Sequence, residues 1–218
     1  MTAVGLVLAV GLTATACSGD DGDGKSEWEP VGAERICDGV FASPVAQRAL
    51  RTMTGTDRFF HSEVGDGLDV AAEKLTAGYL ASGVRSEAEG DLCSVYVEKE
   101  SGLDHSRVSF TLDDGKFIDS PDYSPKFTPY QVGRRALAGV RAVILYIECV
   151  SPEMGSSKEQ PAFIRGEFRN RADPAGDARA VREANLTALN AAAFALAGKL
   201  GCANNGGLSE QPRLTPAK

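Results

Sequence analysis

Thirteen apolar or small residues, Val4 to Ala16, run directly into Cys17, and the chain then turns at once to Ser18-Gly19-Asp20-Asp21-Gly22-Asp23-Gly24. This junction constrains everything downstream. The apolar run is too short to cross a bilayer, which takes about 20 residues. It has the length of a signal-peptide core and closes on the small residues that a cleavage site requires. Residues 1–16 are therefore expected to be a signal peptide, and the rest of the chain to fold outside the cytoplasm, where cysteines pair. No Lys or Arg precedes Val4, so a positively charged n-region is expected upstream of Met1. Residues 17–33 are rich in Gly, Asp, Ser and Glu, and such a stretch is expected to form a solvated, self-repelling tether.

Ala14-Thr15-Ala16-Cys17, followed by a polar flexible stretch, resembles the bacterial lipobox. The resemblance implies cleavage before Cys17, a thioether-linked diacylglycerol on its sulfur, and acyl chains such as palmitate holding the domain to the extracytoplasmic face of the membrane. Two or more chains make such an anchor stable. The full chain has a formal net charge of -7, and residues 1–16 contain no ionisable side chain, so their removal leaves the charge unchanged. An acidic domain repels phosphate backbones and anionic headgroups. The membrane is thus expected as a partner through the lipid on Cys17, and nucleic acid is not.

Of five cysteines, the lipidated one leaves Cys37, Cys93, Cys149 and Cys202. An even number in an exported chain reads as two disulfides, and four cysteines allow three connectivities. The favoured pairing is Cys37–Cys93 and Cys149–Cys202, because each then joins a helix end to a strand within its own half of the domain. Each bridge would close a loop of about 55 residues and contribute about 4 kcal/mol in the chain-entropy model. No C-x-x-C spacing occurs, and His61 and His105 lie far from every cysteine in sequence, so neither a metal site nor a thioredoxin-like centre is expected.

Gly19 to Ser26 matches the P-loop pattern G-x-x-x-x-G-K-S. That pattern works only between a buried strand and a helix N-terminus. Here Cys17 precedes it, Glu27-Trp28-Glu29-Pro30 follows, and Asp20, Asp21 and Asp23 would repel a triphosphate. No nucleotide is expected. The same aspartates miss the EF-hand spacing, because Gly19 stands where the first ligand belongs. A hydrolase would need a nucleophile, a base and an oxyanion site, yet neither G-x-S-x-G nor S-x-x-K occurs. His61 and His105 are the available general bases. His61 follows Phe59-Phe60 at a strand end, and His105 lies between Asp104 and Ser106 in a turn. Glu87 and Glu89, and Asp113 and Asp114, read as loop and turn residues. No catalytic residue and no cofactor is assigned.

The chain has 218 residues, 43% of them hydrophobic and 24% charged, which suits one domain of moderate size. Its boundaries are expected at 34–206, with 207–218 a loose tail. Ser43-Pro44 opens a helix over about 44–53, and 69–82 is a second, with Ala72, Leu75 and Tyr79 on one stripe. Residues 58–63 could form a short strand. Strands are expected over 92–99 and 108–112, with Asp114-Gly115 turning into a strand over 116–119. Residues 120–133, with three prolines, read as a surface loop. Residues 139–150 are apolar on both faces and suggest a central strand. Residues 162–170 alternate, Ile164 and Phe168 inward, Arg165, Glu167 and Arg169 outward. A long helix starts at Asp173-Pro174 or Asp177 and ends near Leu200, with Leu186, Leu189, Ala193, Leu196 and Leu200 in one stripe. Asn185-Leu186-Thr187 matches a glycosylation sequon but falls mid-helix. Strands clustered between helices argue an α+β fold: an antiparallel sheet of four to five strands, helices on one face, two disulfides.

Ile36-Cys37-Asp38-Gly39, Asp91-Leu92-Cys93, Leu145-Tyr146-Ile147-Glu148-Cys149, and Asn185-Leu186-Thr187-Ala188-Leu189-Asn190 leading to Leu200-Gly201-Cys202 together resemble an actinobacterial group of secreted lipoproteins of unknown function. The resemblance implies cell-envelope address and disulfides, and no activity. In architecture alone the chain is also similar to the extracytoplasmic sensor domains of some mycobacterial kinases. The expected function is a non-catalytic binding or interaction module at the cell envelope, whose partner is an envelope protein or a small ligand. An envelope hydrolase without a recognisable motif, and an accessory of a membrane protein, are the alternatives. Tyr123, Phe127 and Tyr130, aromatics among prolines, are the candidate contact surface; the competing reading makes them a lid over the sheet edge.

Overall fold

The computed structural model describes residues 29–60, 65, 67–82, 89–97 and 105–217. The fold is α+β. Helix α1 (Pro44–Thr54) and helix α2 (Gly67–Ser82) precede strands β1 (Glu89–Val95), β2 (Ser106–Asp113), β3 (Thr128–Tyr130), β4 (Arg135–Ala138), β5 (Ala142–Cys149) and β6 (Ala162–Asn170); helix α3 (Ala178–Lys199) follows. The strands form one antiparallel sheet in the order β1-β2-β6-β5-β4-β3.

Local chemistry explains the helix ends. The Ser43 hydroxyl accepts from the Ala46 N–H at 3.2 Å and Pro44 takes the first turn. Asp177, rather than Asp173, caps α3: its carboxylate accepts from the Ala180 N–H at 2.9 Å. The helix stops where Gly201 adopts φ 65, a left-handed conformation that glycine enters without steric cost. The expected stripe of Leu186, Leu189, Ala193, Leu196 and Leu200 is wholly buried. Ala184, Ala188, Ala192 and Ala197 are buried as well, because α3 lies across β4, β5 and β6 with α1 packed on its far side, while α2 covers β1 and β2.

The helices share one face of the sheet. Val108, Phe110 and Leu112 of β2 align through the register with Phe168, Gly166 and Ile164 of β6 and with Val143, Leu145 and Ile147 of β5, and all of these side chains are buried. Gly166 is required by closeness. A Cβ there would stand 2.8 Å from the Phe110 ring and 3.2 Å from Leu189, so only a bare backbone lets the sheet meet α3. The opposite face carries Arg165, Glu167 and Arg169, as the alternation predicts.

The two disulfides are Cys37–Cys93, with Cα atoms 5.4 Å apart, and Cys149–Cys202, at 4.9 Å. This is the favoured pairing. Cys37 and Asp38 both take positive φ, and the turn they form also directs the Asp38 carboxylate to the Leu68 N–H at 2.6 Å, in the first turn of α2.

The sheet has six strands, not four to five. The additions are β3 and β4, of three and four residues, which are too short to carry a readable alternation. β3 lies inside the stretch expected as a surface loop, and its Pro129 is tolerated because β3 is an edge strand. Residues 116–119 form turns rather than a strand. The Asp113 carboxylate accepts from the Gly115 N–H at 2.8 Å and turns the chain locally, and β2 pairs with the distant β6 instead. Over 58–63, only single bridges form, Phe59 to Val31 and Phe60 to Tyr96; residues 61–63 lie outside the described residues. β1 begins earlier than expected and has a bulge between Asp91 and Cys93, which breaks the simple alternation there. The tail is not loose. Gln131 N–H donates to Thr215 C=O at 3.1 Å and Ala217 N–H to Pro129 C=O at 2.9 Å, so the last residues cover the outer edge of β3.

Candidate functional site

Cys17, the Gly19–Ser26 segment, His61, Glu87 and Asp104 lie outside the described residues. The three aromatics of the expected contact surface do not share one. Tyr130 points into the core, 2% exposed, because it sits on the buried side of β3 opposite Ala136. Phe127 is half-buried and lies against Gly139. Tyr123 remains exposed and stacks on the Arg135 guanidinium, 5.2 Å from carbon to ring centre. Arg135 also donates to the carbonyls of Ile118 and Ser120 at 2.5 and 2.6 Å. Ile118 is buried. Residues 118–123 are thus a strap pinned over the β4 end of the open face, close to the lid reading.

Of the carboxylates expected in loops and turns, Glu89 instead opens β1, paired with Thr111, whereas the two aspartates after β2's apolar run do form a turn. Asp113 and Asp114 each accept from a backbone N–H two residues on, and Asp114 pairs with Lys116 at 2.7 Å. The four domain cysteines are consumed by the disulfides. Among the described residues, no group of three His, Cys, Asp or Glu side chains is placed to hold a metal ion.

His105 stands at the mouth of a buried polar relay. Its Nδ1 lies 2.9 Å from Ser106 Oγ, and Ser106 Oγ donates to Asn170 Oδ1 at 2.7 Å. Asn170 Nδ2 donates to Asn185 Oδ1 at 3.0 Å and to Val140 C=O at 3.2 Å. Asn185 Nδ2 donates to the Gly139 and Val140 carbonyls at 3.0 and 2.8 Å. The direction of the relay follows from the inventory of donors. Both amide groups are committed to carbonyl acceptors, so the Ser106 proton goes to Asn170, and Ser106 can only accept from His105 Nδ1–H. Ser106 is 1% exposed. A hydroxyl whose proton and position are both committed inward is not poised as a nucleophile. The same burial places Asn185, 0% exposed, out of reach of any glycosylating enzyme.

A cavity of about 570 Å³ opens over this relay at one end of the open sheet face. Its cationic lining comes from β2, from β6 and the residue beyond it, and from the turn before β5. Arg107 of β2 faces Arg169 of β6 directly across the ladder, and Ala142 of β5 faces Arg169 from the other side. The Arg171 N–H donates to His105 C=O at 3.0 Å, which extends the pairing one rung and sets His105 and Arg171 on the same face. Arg141 enters from the turn before β5. Ala142 supplies only a methyl group where its neighbours project long side chains, and that difference opens the cavity. Ser106 and Asn170 form the floor.

The arginines hold partners on the rim. Arg141 Nε reaches Asp173 at 3.2 Å, with side chains 61% and 70% exposed, and its Nη2 donates to the Arg171 carbonyl. Arg169 pairs with Glu167, and Arg107 lies 3.8 Å from Asp91. No carboxylate is among the described residues that line the cavity itself. Sequence reasoning missed this cluster. Arg169 was read as an ordinary outward residue, and nothing in the order of residues indicates that Arg107 lies opposite it.

Among the described residues, no helix is long and apolar enough to cross a membrane. No family model matches the chain, and neither a curated protein nor a solved structure shows significant similarity to it.

Proposed function

We propose that this chain is a lipid-anchored lipoprotein of the extracytoplasmic membrane face, whose disulfide-stapled domain is a non-catalytic binding module. The observation that carries the non-catalytic reading is the His105–Ser106 contact. Its hydroxyl proton runs inward through Asn170 toward the carbonyls of Gly139 and Val140, away from the cavity in which a substrate would sit. Two disulfides suit an oxidising compartment, and Cys17 would supply the anchor.

The test is metabolic labelling with an alkyne fatty acid in a bacterial host, followed by fractionation. The wild-type chain should carry label and sediment with membranes, and Cys17→Ser should carry no label. An unlabelled, unanchored wild-type protein would remove the anchor. Intact mass under non-reducing conditions should fall four hydrogens short of the reduced chain.

A further inference from the structure

We propose that the arginine-lined cavity at the β2–β6 end of the open sheet face is a binding site for a phosphate-bearing ligand. The proposal rests on the reading of the domain as a binding module, and adds the ligand class.

The argument starts from an arrangement that a bare fold does not favour. Like charges directly opposite on neighbouring strands are destabilising. Arg107 and Arg169 are such a pair, and the adjoining rung adds His105 and Arg171 on the same face. Arg141 brings a further guanidinium to the same volume. This concentration of cations occurs in a chain of formal net charge -7. The overall charge therefore argues against extended polyanions, while four arginines are gathered around this one cavity. In the rim pairs the arginine ends are more than half exposed, so these contacts are screened by water and a ligand can compete for the guanidiniums.

The donor geometry selects the ligand. A carboxylate presents two acceptor oxygens in one plane, so it meets guanidiniums only from within or near that plane, as Glu167 meets Arg165 and Arg169. Guanidiniums arriving from β2, from β6, from the residue beyond β6 and from the turn before β5 converge from several directions. A phosphoryl group, with three or more acceptor oxygens and up to two charges, can engage several of them at once. The relay under the cavity fixes its floor, because Ser106 and Asn170 are held in place by bonds to one another and to α3. At about 570 Å³, the cavity has room for more than a bare ion and falls within the range of small-ligand sites. A soluble phosphate ester and a phospholipid headgroup present the same chemistry.

The test uses the mature chain from residue 17 with Cys17→Ser, so that neither a lipid nor the apolar segment 1–16 drives vesicle association. Isothermal titration calorimetry at low ionic strength should give saturable binding of inorganic phosphate and of glycerol 3-phosphate, with acetate much weaker. Sedimentation with phosphatidylglycerol vesicles against phosphatidylcholine vesicles identifies the source: vesicle binding that exceeds ester binding assigns a headgroup, and the reverse assigns a soluble ester. R107Q/R169Q should weaken binding by about tenfold or more, as expected for loss of charge-assisted hydrogen bonds. Arg51→Gln, on α1 and paired with Asp57, should leave it unchanged. R107Q/R169Q should also melt close to its parent, because the relief of like-charge repulsion offsets the loss of the pairs with Asp91 and Glu167. Should it fail to fold, Arg171→Gln carries the same binding test, since Arg171 lies beyond the end of β6. No saturable binding of phosphate, ester or vesicle would overturn the proposal. So would acetate binding as tightly as phosphate, or unchanged affinity in the folded arginine variant. Phosphorus NMR of the incubated ester separates the two readings: an intact ester accords with a binding site, whereas released phosphate would refute the non-catalytic reading and leave the site in place.

Discussion

Asn185 is the residue on which the packing of α3 against the β4–β5 turn can be tested most directly. It is wholly buried, donates to the Gly139 and Val140 carbonyls, and accepts from Asn170. In Asn185→Ala, Val140 C=O keeps the Asn170 donor at 3.2 Å, but Gly139 C=O loses its side-chain donor. An orphaned buried acceptor costs about 1–3 kcal/mol, and the space left by the amide adds about 1 kcal/mol. A loss near 3 kcal/mol follows, which lowers Tm by roughly 6–12 °C for a domain of this size. Asn185→Asp keeps the shape but turns carboxylate oxygens toward two carbonyl oxygens, so at pH 7 it should be worse than alanine. Its pH dependence gives an independent signature. Burial and the facing carbonyls raise the folded-state pKa of the new carboxyl above the unfolded value of about 3.9. The folded state then binds the proton more tightly, and stability falls as pH rises through that window. The deficit of Asn185→Asp against wild type should accordingly shrink between pH 7 and pH 4. The assay is thermal unfolding followed by circular dichroism at both pH values, disulfides intact. A Tm of Asn185→Ala within about 2 °C of wild type, or an Asn185→Asp deficit independent of pH, would refute the reasoning. In a double-mutant cycle with Asn170→Ala, the two losses should fail to add by about 0.5–3 kcal/mol, because the residues share one network.

Gly166→Ala should cost about 1–3 kcal/mol by overpacking, since its Cβ would stand 2.8 Å from the Phe110 ring; a Tm equal to wild type would show that Phe110 yields freely. Asp38→Ala removes the acceptor of the Leu68 N–H and should cost about 1 kcal/mol, measured by urea unfolding. Removing either disulfide as a paired serine variant should cost up to about 4 kcal/mol. The two losses should be similar, because the sequence separations are 56 and 53 residues; a strongly unequal pair of midpoints would show that packing, not loop closure, dominates.

The parts of the fold that were legible are those governed by local physics. A Ser-Pro start, an Asp cap, a leucine stripe in threes and fours and a central strand apolar on both faces each state their case within about a dozen residues. The cysteine pairing was readable for a related reason: each bridge stays within its own half of the chain and ends on a recognisable strand, Cys202 following the end of α3 and Cys37 lying in the turn that precedes α1. What was not legible depends on partners. Asp114-Gly115 has hairpin chemistry, yet β2 turns to β6 because a long strand with matching apolar positions offers eight paired residues, against four residues of Lys116 to Asp119. β3 carries a proline and three residues, and it exists because β4 on one side and the C-terminal segment on the other supply its hydrogen bonds. The same segment was read as loose because nothing in its composition says that an edge strand awaits it.

The candidate site separates along the same line. Tyr123, Phe127 and Tyr130 were grouped by their closeness in sequence, but strand alternation sends Tyr130 into the core and leaves Tyr123 on an arginine. The arginine cavity has the opposite character. Its members are spread from residue 105 to residue 171 and meet only through the β2–β6 register. A slip of one residue in that register would turn one strand over, moving either Val108 and Phe110 or Phe168 and Ile164 to solvent and that strand's arginine to the core. The buried face therefore fixes the position of the cationic one: burial of Val108, Phe110, Ile164 and Phe168 leaves Arg107 and Arg169 no alternative to facing each other. The repulsion between them is small beside the burial of four large side chains, each worth about 1.5–3 kcal/mol. The core can hold such a pair in place, but it does not explain why neither position carries a neutral or acidic residue. Substitution of either by glutamine would leave the register untouched and ease the repulsion, at the loss of the pair with Asp91 or Glu167; surface pairs of this kind are worth about 0–1 kcal/mol, so the fold gains little from keeping both arginines and a phosphate-bearing ligand would supply the larger benefit.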